Sequence, residues 1–286
     1  MITVINYADT SFQKKQKLNS LTAKFLGGAK KVIEYSPKDI DDEFRKKYSH
    51  ILCQKTGGGY WIWKPYIILK TLNKMKEGEH LFYCDSGATF LKSLHPFLKE
   101  FERLQQPILG FEIPLIEKQW TKRDASVILK VDDKRFLETQ QICAGYIFIQ
   151  KCDKAIKFFQ EFMDYAVDER VITNIPNQLS LPNDPSFIDH RHDQSLFSLL
   201  FKKNGYVPLP DPSDFGHFPE AFCQKEGYLF VDRLQINPYA SSILSNRKTN
   251  PFVYTAKYFV KRVIKKFFLS FYSKRFNPRE VKFKIY

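Results

Sequence analysis

Apolar positions recur along this chain with periods of two and of three to four residues, and their alternation lays out most of its elements. Residues 2–7 (ITVINY) form a β-branched run that predicts a first strand, followed by a loop at Ala8-Asp9-Thr10-Ser11 and a helix reaching about Phe25. The Gly27-Gly28 pair closes that helix. KVIEY at 31–35 predicts a second strand, and residues 40–48 a second helix. A β-α-β-α opening predicts an α/β fold with a mostly parallel sheet flanked by helices. Further on, HLFYC (80–84), ILGF (108–111) and QICAGYIFIQ (141–150) read as strands, with helices over 96–104 and 153–165. Residues 112–139 read as a loop and helix pair, and residues 228–231 as a late strand.

Residues 56–87, TGGGYWIWKPYIILKTLNKMKEGEHLFYCDSG, interrupt these periods. Three consecutive glycines permit positive φ and close approach to a ligand. Tyr60, Trp61 and Trp63 then crowd against Lys64 and Pro65, and Pro65 at a first helical position predicts a helix ending near Lys76 and Gly78. Asp85-Ser86-Gly87 stands just beyond the carboxyl end of the HLFYC strand, where open α/β sheets bind ligands. Read alone, Asp85 is a partner for a divalent cation or a ribose hydroxyl, or else a turn former or helix cap. The small Ala144-Gly145 pair inside a strong strand marks close approach by a ligand or a second backbone. Asp193 and Gln194 open a helix and cap it well, and His190 and His192 ahead of them read as polar capping residues rather than metal ligands.

Composition narrows the class. With 286 residues and 43% hydrophobic content the chain can bury a sizeable core. Five cysteines without a C-x-x-C pair read as reduced core thiols. The start shows no signal-peptide pattern, and no run of about 18 apolar residues could span a bilayer, which predicts a cytoplasmic location. Glycines not followed by G-K-[ST] set aside a Walker-type NTPase.

The formal charge of +14 is unevenly placed. Residues 255–286 hold ten Lys or Arg against Glu280 alone, so +9 lies there and +5 in the preceding 254 residues. Phe259, Val263, Phe267 and Phe271 recur at four-residue intervals, widened by Val260, Ile264 and Phe268, while Lys257, Lys261, Arg262, Lys265 and Lys266 take the other side. This pattern predicts either an interfacial anchor on anionic lipid or a helix docked on its own domain with a solvated lysine face. The division expected is a domain over 1–250 and a basic amphipathic tail over 251–286.

With these pieces in order, the chain resembles GT-A-type (Rossmann-like) nucleotide-sugar glycosyltransferases, and its motif order looks like that of retaining glycosyltransferase family 8. The GGGYWIWKP segment is similar to one found in bacterial capsule and lipopolysaccharide glycosyltransferases. The resemblance covers roughly residues 2–235. It implies that Tyr7, Ala8 and Asp9 lie beside the base and ribose of a UDP-sugar, and that FYCDSG stands for the D-x-D motif, with Asp85 as metal ligand and Ser86 beside it. Gly87 stands where the second carboxylate belongs. A divalent Mn²⁺ or Mg²⁺ is therefore held by Asp85 with diphosphate oxygens and water, or the site leans on basic side chains instead. Ala144 and Gly145 match the family's A-G strand against the donor sugar. Asp193 matches the residue holding sugar hydroxyls, and Gln194 the one near the anomeric carbon. Lys64 is the candidate donor-contacting base, and Arg247 and Lys248 are candidates for the diphosphate.

The activity implied is transfer of a hexose, such as galactose or glucose, from its UDP-sugar to a hydroxyl of a growing surface glycan: capsule, lipopolysaccharide or lipooligosaccharide. Retention of configuration is implied only by the family 8 likeness. With the tail, the resemblance implies a glycan or lipid-linked glycan acceptor and a peripheral enzyme on the inner face of the cytoplasmic membrane. The alternatives are a non-catalytic sugar-nucleotide-binding protein and a basic RNA-binding protein. Nucleic acid is not the expected partner, because the charge sits in one tail without a recognition motif.

Overall fold

The computed structural model describes residues 1–246 and 250–285. Five of the strand predictions fall on strands of one sheet: β1 (Ile2–Tyr7), β2 (Lys31–Tyr35), β3 (His80–Cys84), β4 (Ile108–Ile116) and β5 (Gln140–Gln150), joined by a short β6 (Leu209–Pro210). The spatial order is β2-β1-β3-β5-β4-β6. β1 runs parallel to both β2 and β3, and β4 parallel to β6, while β5 runs antiparallel to its neighbours β3 and β4. The sheet is thus mixed but mostly parallel, and the carboxyl ends of β1, β2, β3 and β6 share one edge.

Strand side chains alternate between two cores, as a period of two requires. Ile5, Leu81, Tyr83, Ile147 and Ile149 face α2 (Trp63–Leu72), α3 (Asp153–Ala166) and α4 (Asp193–Lys203). Val4, Phe82, Cys84, Leu109 and Phe148 face the opposite side, where α1 (Gln13–Phe25) and the ring pack of Phe97 and Phe101 cover them. At ~25 cal/mol per Å² of apolar surface removed from water, these two layers dominate the stability of the fold. Between them α1 contributes polar chemistry: Asn19 donates to the carbonyl of Ala88 at 2.9 Å and so ties down the loop after β3.

Two predictions need correction. Residues 228–231 form no strand; they make a single antiparallel bridge, Phe230 to Leu115, against the end of β4. Pro65 is the third residue of α2, not the first, since the turn ahead of it already points Trp63 into the helix.

The tail forms α5 (Pro251–Phe267) and α6 (Leu269–Phe276), broken at Phe268. Its docked side is more polar than the periodicity implies. Tyr258 and Tyr272 pack with Phe218 and Leu244. Tyr254 donates to Asp214 at 2.5 Å, Lys265 pairs with Glu220 at 3.0 Å, and Tyr272 also donates to Glu220. Lys261 and Lys265 therefore leave the solvated face assigned to them: their ammonium groups lie 4.0 and 5.2 Å from the Phe218 ring. Phe252, Phe259, Val260, Val263, Phe267, Phe268, Leu269 and Phe271 remain exposed. No helix among the described residues is long and apolar enough to cross a membrane.

Candidate active site

The shared strand edge carries two adjoining cavities. The first, of about 530 Å³, is lined by Tyr7, Ala8 and Asp9 after β1, by Asp85, Ser86 and Gly87 after β3, and by Gly57, Gly58, Trp61 and Trp63. Tyr7 stacks on Trp63 with ring centroids 3.8 Å apart and planes 14° from parallel, giving this cavity a flat aromatic wall. Two cations that the motif reading passed over, Arg45 and Lys55, also line it. Lys55 stands two positions before the glycine run, a signal that could have found it, whereas Arg45 is brought there only by the fold.

The second cavity, of about 660 Å³, is lined by Lys64, Ala144, Gly145, Asp193 and Gln194. It shares Trp61, Asp85 and Gly87 with the first. Trp61, common to both, belongs to a backbone segment of unusual hand: Gly57, Gly58, Gly59, Tyr60 and Trp61 all have φ between 52° and 92°. Trp61 ends that segment with its ring stacked 5.6 Å from His192.

Lys64 organises the second cavity. Its ammonium hydrogen-bonds the Asp193 carboxylate, donates to the carbonyl of Ala144 at 3.0 Å and lies 3.8 Å from Asp85. Burial by itself would lower its pKa, but the two carboxylates outweigh burial and hold it above the ordinary lysine value. Asp85 is fixed by Tyr83, whose hydroxyl donates at 2.7 Å to the same Oδ1 that faces Lys64, and its backbone N–H reaches the carbonyl of Gly145 at 2.9 Å. A Cβ added at Gly145 would stand in ordinary contact, 3.4 Å from the Asp85 carboxylate.

Gln194 is oriented by a buried relay absent from the sequence reading. Its amide donates to Gln141 at 2.7 Å, Gln141 donates to Glu117 at 3.0 Å, and Glu117 pairs with Lys202 at 2.8 Å. His190 and His192 do not cap α4 as expected: His192 precedes the helix but its side chain makes no capping hydrogen bond, and one ring nitrogen of each lies within 2.9 Å of a carbonyl, of Val171 and Ile172 respectively. Burial lowers the pKa of both. Arg247 and Lys248 lie outside the described residues.

These residues do not by themselves make a complete cage for a divalent metal. The D-x-D position offers one carboxylate, which accepts from Tyr83 and lies 3.8 Å from an ammonium, so a Mg²⁺ or Mn²⁺ ion held there would need diphosphate oxygens and water to complete its shell. Among the described residues no group of three His, Cys, Asp or Glu side chains could hold such an ion. The positive charge at this strand end is Lys64 itself.

No protein-family model matches this chain, and no curated protein matches it. Similar solved structures include mouse xyloside xylosyltransferase 1 in its apo form, with a TM-score of 0.46 and 10% identity over 86% of this chain and 97% of that one. The apo form of the glycosyltransferase GlyE from Streptococcus pneumoniae TIGR4 has a TM-score of 0.41 and 16% identity, over 91% of this chain and 64% of that one. A glycosyltransferase involved in glycosylation of the major capsid of PBCV-1 has a TM-score of 0.42 and 12% identity, over 90% of this chain and 98% of that one.

Proposed function

We propose that this chain is a GT-A-type glycosyltransferase that moves a hexose from a UDP-sugar to a hydroxyl of a growing surface glycan. The observation that carries this reading is the pair of joined cavities at the strand ends, one walled by aromatic rings and the other floored by Lys64, Asp85 and Asp193. The first is sized and walled for a base and ribose: Tyr7 offers a stacking face, and Asp9 and Ser86 offer polar groups. Arg45 and Lys55 stand by for the diphosphate. The second takes the sugar, with Asp193 accepting from its hydroxyls and Gln194 turned toward the anomeric carbon.

The chemical demand is stabilisation of charge on the departing diphosphate and of an oxocarbenium-like centre. Fixed charges preorganised in a site of low dielectric meet that demand without reorganisation. Here the Lys64 cation is held by three partners before any substrate arrives, and Asp85 and Asp193 lie on the side where positive charge develops. Ala144 and Gly145 let the sugar lie against β5.

The tail supports a peripheral position on an anionic bilayer. One side of α5 and α6 docks through tyrosines and Lys265, while the other leaves Phe259, Val263, Phe267 and Phe271 exposed next to Lys257, Arg262, Lys266, Lys274 and Arg275. Aromatic side chains bordered by cations are what an anionic interface retains. A surface-held enzyme meets a lipid-linked acceptor in two dimensions.

Calorimetric titration of UDP, with and without Mn²⁺, tests the site. Micromolar binding without metal is expected, and weaker binding by Tyr7→Ala. Absence of binding in both conditions would sink the reading.

A further inference from the structure

The sugar cavity has a neighbour on the side away from the nucleotide. A third cavity, of about 880 Å³, lies between the sheet edge and the C-terminal helices, and shares Asp211, Phe215 and Phe222 with the cavity that holds Lys64. Its outer wall is α6, through Leu269, Ser270 and Tyr272. Leu269 is also part of the exposed apolar face of the tail, with Phe267, Phe268 and Phe271. The third cavity therefore adjoins that face on one side and the cavity that holds Lys64 on the other. Its lining suits a sugar on an apolar carrier: the Phe215 and Phe222 rings, 4.6 Å apart, offer faces to ring C–H groups, and Glu112, Gln235 and Asn237 bring polar groups to its wall.

Asp211 stands where the two cavities meet. It follows β6 directly, so it belongs to the same strand edge as Asp9 and Asp85. Its side chain is buried, with Oδ1 accepting from the backbone N–H of Ser213 at 2.8 Å. We propose that the third cavity holds the acceptor, a lipid-linked glycan entering past α6, and that Asp211 takes the proton from the attacking hydroxyl. This rests on the glycosyl-transfer reading of the neighbouring site. In the step, the acceptor oxygen bonds to the anomeric carbon. The bond from that carbon to the diphosphate oxygen breaks, its electron pair leaving with UDP. The hydroxyl proton passes to an Asp211 carboxylate oxygen.

Burial raises the Asp211 pKa to about 7, a value suited to a base at neutral pH. The titratable groups facing it are Asp214 in the following turn, and Cys143 and Tyr146 on β5. Glu112, Glu220 and Lys265 face it across the third cavity.

The test uses the full chain with octyl β-D-glucoside below its micelle concentration as the acceptor probe. Saturation-transfer NMR reads glycoside binding, calorimetry reads UDP binding, and UDP release from UDP-glucose and UDP-galactose reads turnover. Wild type should bind the glycoside and release UDP faster in its presence, the rate falling as pH drops through about 7. Asp211→Asn should lower glycoside-dependent release by about 100-fold or more with UDP affinity intact. Ser270→Trp, at an exposed position on the cavity wall, should weaken glycoside binding about tenfold and leave UDP binding unchanged. The proposal is overturned if wild type does not bind the glycoside, if Ser270→Trp binds it as wild type does, or if Asp211→Asn keeps full glycoside-dependent release. Failure of wild type to bind UDP would instead remove the glycosyl-transfer reading, and the base role of Asp211 with it.

Discussion

The ammonium of Lys64 and the carboxylate of Asp193 are hydrogen-bonded across 129 positions of chain, with side chains only 3% and 8% exposed. A pair this deep is costly to break from one side, because the remaining charge is left without a partner. Lys64→Met should therefore destabilise the protein by about 3–5 kcal/mol in denaturant unfolding and abolish turnover. The double variant Lys64→Met/Asp193→Leu should regain most of the stability and none of the activity. Equal stability in the two variants would show that the pair is not coupled as the geometry requires.

Asp85 has a different dependence. It is about one-third exposed, but it accepts from the hydroxyl of the fully buried Tyr83, so its loss should cost the fold about 1–3 kcal/mol, less than loss of Lys64. Asp85→Ala should cut turnover by more than about tenfold, a barrier change above ~1.4 kcal/mol. Turnover within that limit would place the reacting centre elsewhere.

Tyr7 presents a ring already backed by Trp63. Removing it should weaken UDP binding by about 1–3 kcal/mol, the range for loss of one base-stacking aromatic. Affinity for a sugar phosphate lacking the base should not change, which separates stacking from general damage to the cavity.

Stability should also report on Asp211 through pH. Its pKa is raised by burial from 3.8 to about 7, so the folded protein holds a proton that the unfolded chain has released. Its contribution to stability is full below about pH 4 and is lost as pH rises through about 7. Asp211→Asn should thus melt higher than wild type at pH 8 and at the same temperature at pH 3.5. Glu112, raised to about 7 by burial as well, keeps part of the pH dependence in both proteins.

On the tail, Phe259→Ser/Phe267→Ser/Phe271→Ser changes only exposed positions. The triple variant should lose pelleting with vesicles containing anionic phosphatidylglycerol and keep its melting temperature. This test is cleaner than deleting the tail, since deletion would bare Phe218 and leave Glu220 without Lys265 and Tyr272. Unchanged pelleting would sink the anchor.

Much of this was legible before any coordinates. The opening strands, α1 and the position of Asp85 follow from local periodicity and turn residues, and both depend on neighbours in sequence. The antiparallel course of β5 does not: the alternation in QICAGYIFIQ is the same in either direction. Periodicity likewise placed Lys261 and Lys265 in solvent, whereas Glu220 and the Phe218 ring, more than 40 residues earlier, draw them inward. Asp211 escaped notice in a proline-rich loop because the strand before it has two residues, too few to show a period. Lys64, Asp85 and Asp193 were each picked out separately, and only the fold reveals them as one cluster.

Residues 57–61 form five consecutive positions of positive φ, and this separates two kinds of obstacle to substitution. A methyl group at Gly57 would strike the Trp61 ring at 2.2 Å, and one at Gly59 the Leu52 Cα at 2.6 Å, while at Gly58 the nearest atom is 3.8 Å away. Alanine at 58 therefore meets no crowding and only the wrong enantiomer's torsion, about 1–2 kcal/mol. Tyr60 and Trp61 already carry that torsional cost in the native chain. Trp61, which lines both cavities, is thus presented by a left-handed backbone that glycine alone adopts without strain.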